Sequence, residues 1–182
     1  VCISNVNRQL HALDGTIGQA KVDVMAERVR AINPAAVIHA RQAFFTEANA
    51  DELLAPRFDF VIDAIDRTTK KALMIGGCHA KGIPILTVGA AGGRTDPTAL
   101  RIMDLARATH DRLLLGVRSR LRRDFGFPKG GQKFGVDCVC SVEPVRQILQ
   151  ESEAACDARE PGHRLGCDDG YGSACHVTGA FG

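Results

Sequence analysis

The chain has no tryptophan, a single tyrosine and only 5% aromatic residues. With so few flat π-faces, stacking platforms for bases are scarce, so a bound nucleotide base would be held by a cleft and by charge. No apolar run reaches the ~18 residues of a membrane-spanning helix, so no membrane segment is expected. No Cys-x-x-Cys pair occurs, which argues against a structural zinc held by four cysteines. The 7 cysteines are odd in number and lack framework spacing. That pattern fits free thiols in a reducing cytoplasm better than a disulfide scaffold. Repeats and low-complexity tracts are absent too.

What is present is an ordinary globular composition: 182 residues, 45% hydrophobic and 24% charged. That predicts one domain, 1–182, long enough to bury a core. Net charge is only +2, but it is unevenly spread. Residues 94–133 carry 10 basic and 4 acidic side chains, whereas 134–182 carry 3 basic and 8 acidic. The 94–133 block, with Arg118, Arg120, Arg122 and Arg123 on one helix and Lys129 and Lys133 in a Gly-rich loop, is a candidate nucleic-acid footprint.

The apolar pattern predicts alternating elements. Val1–Ile3 reads as the end of a strand, 18–33 as a helix stopped by Asn33-Pro34, and Ala36–Gln42 as a short strand. A short helix is expected over 49–55. Phe58–Ala64 is a largely apolar strand of the kind buried in a parallel sheet. A helix over 68–81 ends at Gly82, and a buried strand over 83–88 leads into Gly89-Ala90-Ala91-Gly92-Gly93. Beyond it come an edge strand over 100–103, a helix over 111–125, a strand over 135–142, polar loop from 151 and a helix from about 170. Strand and helix in alternation predict a doubly wound α/β domain with a mostly parallel sheet.

Ligands in such sheets sit beyond the carboxyl ends of the strands. Three polar sets fall there: Asn5–Gln9, Asp63–Asp66 and Gly89–Gly93. Arg8 and Lys21 add two cations across a connection into a helix, a pattern suited to a polyphosphate. The glycine loop suits close backbone approach to a substrate or a monovalent cation, or else a plain tight turn. Asp63 reads as a strand-end cap and Lys71 as a solvated helix residue. Cys138 and Cys140 alternate on a strand, so both face one side. Cys78, Cys138 and Cys175 read as core, and His11 and His79 as structural.

The phrases Asn7-Arg8-Gln9-Leu10-His11-Ala12-Leu13, Val24-Met25-Ala26-Glu27-Arg28, Val61-Ile62-Asp63-Ala64-Ile65-Asp66, Gly92-Gly93-Arg94-Thr95-Asp96-Pro97, Asp124-Phe125-Gly126 and Gly135-Val136-Asp137-Cys138-Val139 resemble the ThiF/MoeB superfamily. These are bacterial relatives of ubiquitin-activating enzymes, and the likeness is nearest to their tRNA threonylcarbamoyladenosine dehydratases. The resemblance implies a Rossmann-like adenylating fold, truncated at its N-terminus so that the family's Gly-rich loop is missing, and cut within its last helix. It implies ATP and Mg²⁺, with Asn5, Arg8, Gln9, Lys21 and Asp66 at the nucleotide and Asp66 toward the metal. Arg8 and Lys21 would then stabilise charge as pyrophosphate leaves. It also implies a tRNA substrate, a homodimer and a sulfur-transfer partner. Cys167, in a loop before a helix start, corresponds to the superfamily's nucleophilic cysteine chemistry. Two other readings stand beside this one: activation of a ubiquitin-like sulfur carrier, and a non-catalytic nucleotide-binding module.

Overall fold

The computed structural model of the chain describes residues 1–145. Helix α1 spans Lys21–Ile32, and a single turn, α2, spans Ala50–Leu53. The sheet and its helices follow: β1 Val61–Asp63, α3 Thr68–Ala80, β2 Ile85–Val88, β3 Leu100–Asp104, α4 Arg112–Asp124 and β4 Asp137–Ser141. The strand order is β1-β2-β4-β3. β1 pairs parallel to β2 and β2 parallel to β4, whereas β3 closes the edge antiparallel to β4. The expected mostly parallel α/β sheet is therefore present, with β3 at its edge.

The core lies on one face of this sheet. Ala72, Ile75 and Cys78 of α3 meet Leu113, Leu114, Val117 and Leu121 of α4, and both rows rest on Ile85, Cys138 and Cys140. The α4 positions recur at i, i+1, i+4 and i+8, one stripe of a helix, with the arginines other than Arg118 on other sides. On the opposite face of the sheet Ile62 and Ile102 remain 68% and 70% exposed among the described residues.

Two expected strands are corrected. Residues 36–42 form no strand, and Val37 stands exposed. β-propensity reflects packing on a pleated, paired surface, and no neighbouring ladder holds this stretch among the described residues. Val1–Ile3 is likewise no strand: Ile3–Asn5 is a 3₁₀ turn. Local bonding wins there, because Asn5 Oδ1 accepts from the Cys2 amide and the Asn5 amide donates to the Cys2 carbonyl. The expected helix from about residue 170 lies outside the described residues.

Candidate functional site

The carboxyl ends of β1 and β2 enclose a polar cluster. Lys71, on the second turn of α3, is fully buried. Its Nζ donates to Asp63 Oδ2 at 2.7 Å and to Thr87 Oγ1 at 3.0 Å, and Thr87 in turn donates to Asp63 Oδ2 at 2.7 Å. Asp63 Oδ1 accepts from the Ile65 amide at 2.9 Å. Asp63 is thus the expected strand-end cap, and it is also half of a buried ion pair. Lys71 is the opposite of the expected solvated residue. It falls on the α3 stripe of Ile75 and Cys78, so helical spacing places it inward. Burial pushes its ammonium pKa down from the ordinary lysine value, while the charges of Asp63, Asp111 and Asp66 pull it back up.

The loop after β2 is tied to α4. Asp111 caps that helix, with Oδ1 accepting from the Leu114 amide at 2.8 Å, and its Oδ2 accepts from the Ala90 amide at 2.8 Å. A Cβ on Gly89 would lie 2.3 Å from Asp111 Oδ2, so glycine is required here for close approach. Gly93 adopts a positive φ of 73°. The next residue, Arg94, is buried and donates through Nη2 to the His110 carbonyl, while its Nε and Nη1 have no partner. A fixed guanidinium beside the loop, and an Asp111 carboxylate already taken by two amides, do not fit a monovalent cation at Gly89–Gly93.

Asp66, three residues beyond Asp63, is exposed. Among the described residues no group of three His, Cys, Asp or Glu is built to hold a metal alone. A lone carboxylate at this edge does fit Mg²⁺ carried mainly by nucleotide phosphates, since that ion takes one or two protein carboxylates beside them. Asn5 is buried and anchors the turn that bears Arg8 and Gln9, whose amides both donate to the Asn5 carbonyl. Arg8 Nη1 donates to the Ser4 carbonyl at 2.6 Å and to Asn7 Oδ1 at 3.0 Å. Gln9 Oε1 is buried without a partner. Lys21 opens α1, exposed. Its charge, after burial, helps lower the pKa of His11. Arg8, Lys21 and Asp66 form no ion pair with one another.

The basic block is divided by the fold. Arg118 turns inward, with Nη1 donating to the Ala106 carbonyl at 3.0 Å and Nε buried without a partner. Arg120 lies 3.4 Å from Asp124. Arg123 donates to both Asp124 oxygens, at 2.7 and 3.1 Å. Arg122 Nε donates to the Pro128 carbonyl at 3.2 Å, and its guanidinium sits 5.0 Å over the Phe134 ring. Arg122, Arg123 and Lys129 line an open cleft with Leu115 and Ser119. Lys133 is exposed and does not line it.

Cys138 and Cys140 share one side of β4, as alternation predicts, and Cys138 Sγ donates to Cys140 Sγ at 4.0 Å. That contact and burial push the Cys138 thiol up, while the same hydrogen bond brings Cys140 down. Cys78 is core, its thiol raised by burial and by the charge of Asp63. His79 packs its ring 4.6 Å from Phe127. Cys167 and Cys175 lie outside the described residues.

A mostly parallel α/β sheet with a polar nucleotide-type edge, an Asn-Arg-Gln turn and an Asp-x-x-Asp strand end define an adenylating class. The chain belongs to the ThiF family, whose model matches residues 1–116. Among its relatives, the tRNA threonylcarbamoyladenosine dehydratase of Escherichia coli K12 is 41% identical over 100% of this chain and 69% of its own length. The Haemophilus influenzae enzyme of the same name is 39% identical, over 100% of this chain and 68% of its own. A crystal structure of the E. coli dehydratase in complex with ATP superposes with a TM-score of 0.77 at 43% identity, covering 80% of this chain. The chain spans 60% of the length of that structure. The AMP complex of the same enzyme gives a TM-score of 0.80 at 39% identity over 100% of this chain.

Proposed function

We propose that this chain carries out the ATP-dependent closure of threonylcarbamoyladenosine in tRNA to its cyclic form. The observation that carries the reading is identity near 40% along the whole chain to dehydratases of that name, one of them solved with ATP. The free carboxylate of the modified base attacks the ATP α-phosphorus, releasing pyrophosphate and forming an acyl adenylate. A ureido nitrogen or oxygen of the same side chain then attacks the acyl carbon, and AMP leaves with the carboxylate oxygen. The net change is loss of water across one ring, and closure within one molecule benefits from high effective concentration.

Arg8 and Lys21 neutralise the phosphates, and Asn5 and Gln9 face the nucleotide; the orphaned Gln9 Oε1 supports an acceptor role there. Asp66 would hold Mg²⁺, which supplies charge neutralisation to the departing pyrophosphate. The buried Asp63–Lys71–Thr87 cluster stiffens the turn that presents Asp66. The 94–133 block faces tRNA chiefly through Arg122, Arg123 and Lys129, which line the open cleft; Arg118, turned inward to the Ala106 carbonyl, and Lys133, outside the cleft, contribute less. The chemistry needs no covalent enzyme intermediate, so Cys167 is not required for closure. A homodimer, a cytoplasmic location and a sulfur-transfer partner complete the reading.

Pyrophosphate release separates it from its rivals. Release is expected with tRNA bearing the threonylcarbamoyl group and not with tRNA lacking it, and Lys21→Ala should depress it. Release only on adding a ubiquitin-like sulfur carrier would replace the dehydratase by a carrier-activating adenylyltransferase. No release with either acceptor would leave a non-catalytic nucleotide-binding module.

A further inference from the structure

We propose that the cleft lined by Leu115, Ser119, Arg122, Arg123 and Lys129 is a subsite for the phosphodiester backbone of RNA, reached along α4 from the nucleotide-binding edge. The inference rests on the tRNA reading and narrows it to a place and a contact type. The cleft measures about 460 Å³ and no acidic side chain lines it. Leu115, Ser119 and Arg122 recur at i, i+4 and i+7, so they form one stripe along α4. Lys129 faces that stripe from the following loop.

Arg122 is the fixed member. Its hydrogen bond to the Pro128 carbonyl and its seat over Phe134 hold the guanidinium in one orientation, so little side-chain entropy is lost when it meets a phosphate. Ser119 adds a hydroxyl donor. The lining contains no aromatic ring, and Phe134 lies buried beneath Arg122. The cleft therefore has nothing to stack a base on and no set of acceptors to read one, so it recognises charge and spacing alone. An acidic protein surface would also find cations here, but three cations on an open cleft with no acidic lining suit a chain of phosphates better than a protein face.

Position supports the same assignment. The α4 N-terminus touches the loop at the carboxyl edge, through Asp111 and Ala90. Residues 115–123 lie 4 to 12 positions further along, about 6–18 Å at ~1.5 Å per residue. At ~3.4 Å per stacked nucleotide that is roughly two to five nucleotides from a base held at the edge. Asp124 works against the subsite, because its carboxylate takes two donors of Arg123.

The test is binding of tRNA transcript to the full chain across a salt series, with ATP binding measured in parallel. Lys129→Gln, an exposed change that spares the fold, should weaken binding and lower the log K against log[salt] slope by ~0.7. Arg122→Gln should do the same, and the double variant should lower it by ~1.4. Asp124→Asn should tighten binding. Lys133→Gln, in the same basic loop but outside the cleft, should change little. ATP affinity should be unaffected in all five. The inference is overturned if the unaltered chain binds tRNA and Lys129→Gln leaves the slope unchanged, or if Lys133→Gln weakens binding as much. If the unaltered chain binds no tRNA at all, the functional reading fails along with it.

Discussion

Lys71 is a charged side chain enclosed completely between α3 and the strand ends, and it is compensated by hydrogen bonds to Asp63 and Thr87. Such a pair contributes little net stability, since desolvation offsets attraction, yet removing one partner leaves the other charge buried alone. Lys71→Met should therefore destabilise the protein by about 3–5 kcal/mol in a denaturant titration, read as a lower midpoint at unchanged m. The double change Lys71→Met with Asp63→Leu should recover much of that loss. If the single variant is as stable as the parent, the buried pair is not what it is taken to be here. The sequence reads Lys71 as a solvated helix residue, although 71, 75 and 78 form one helical stripe. What the sequence did not expose was the depth of burial, which depends on β1 and β2 closing over that stripe.

At the scale of elements, α3 and α4 pack through small residues. A Cβ on Gly76 would lie 2.2–2.7 Å from carbons of the Phe125 ring, which sits at the end of α4. Gly76→Ala should cost about 1–3 kcal/mol by overpacking, despite alanine's better helix propensity. Adding Phe125→Leu should return part of that cost; thermal or chemical unfolding of the three variants settles it. Helix α4 also sorts the arginines that the sequence presents as one basic run. Arg118 follows the buried stripe inward to the Ala106 carbonyl, while Arg122 and Arg123 flank the cleft. Their spacing predicted a helix with a cationic side, but not which cations are used up by carbonyls and by Asp124.

For the molecule as a whole, the main core draws on residues from Leu54 to Cys140. The buried apolar residues before it, Ala12, Val24, Ala26 and Ala50, belong to no part of that cluster. Regions with few buried apolar contacts open at lower free energy than the core. Amide exchange should therefore be faster over 1–45 than over β2, β4 and the inner faces of α3 and α4. ATP should slow exchange most at Asn5–Lys21 and at 64–66, if those stretches meet at the nucleotide. Equal protection of both halves without ligand would contradict this division.

Periodicity and punctuation were enough to place α1, α3, α4 and all four strands of the sheet, because each is specified by local pattern and by Gly or Pro at its ends. Motif spacing likewise placed Asp63–Asp66 and Gly89–Gly93 at one edge, since parallel strands joined by short helices must carry their carboxyl ends together, whereas Asn5–Gln9 continues a 3₁₀ turn and follows no strand. Residues 36–42 have the composition of a strand and are not one, since a strand exists only with a neighbour to pair with. The Asp63–Lys71–Thr87 cluster, the Asp111 link from α4 to the Gly89 loop, and the buried guanidinium of Arg94 join residues far apart in the chain. Such contacts depend on register and on how helices seat on the sheet. Only tertiary packing decides these, by choosing which polar groups must find partners away from water.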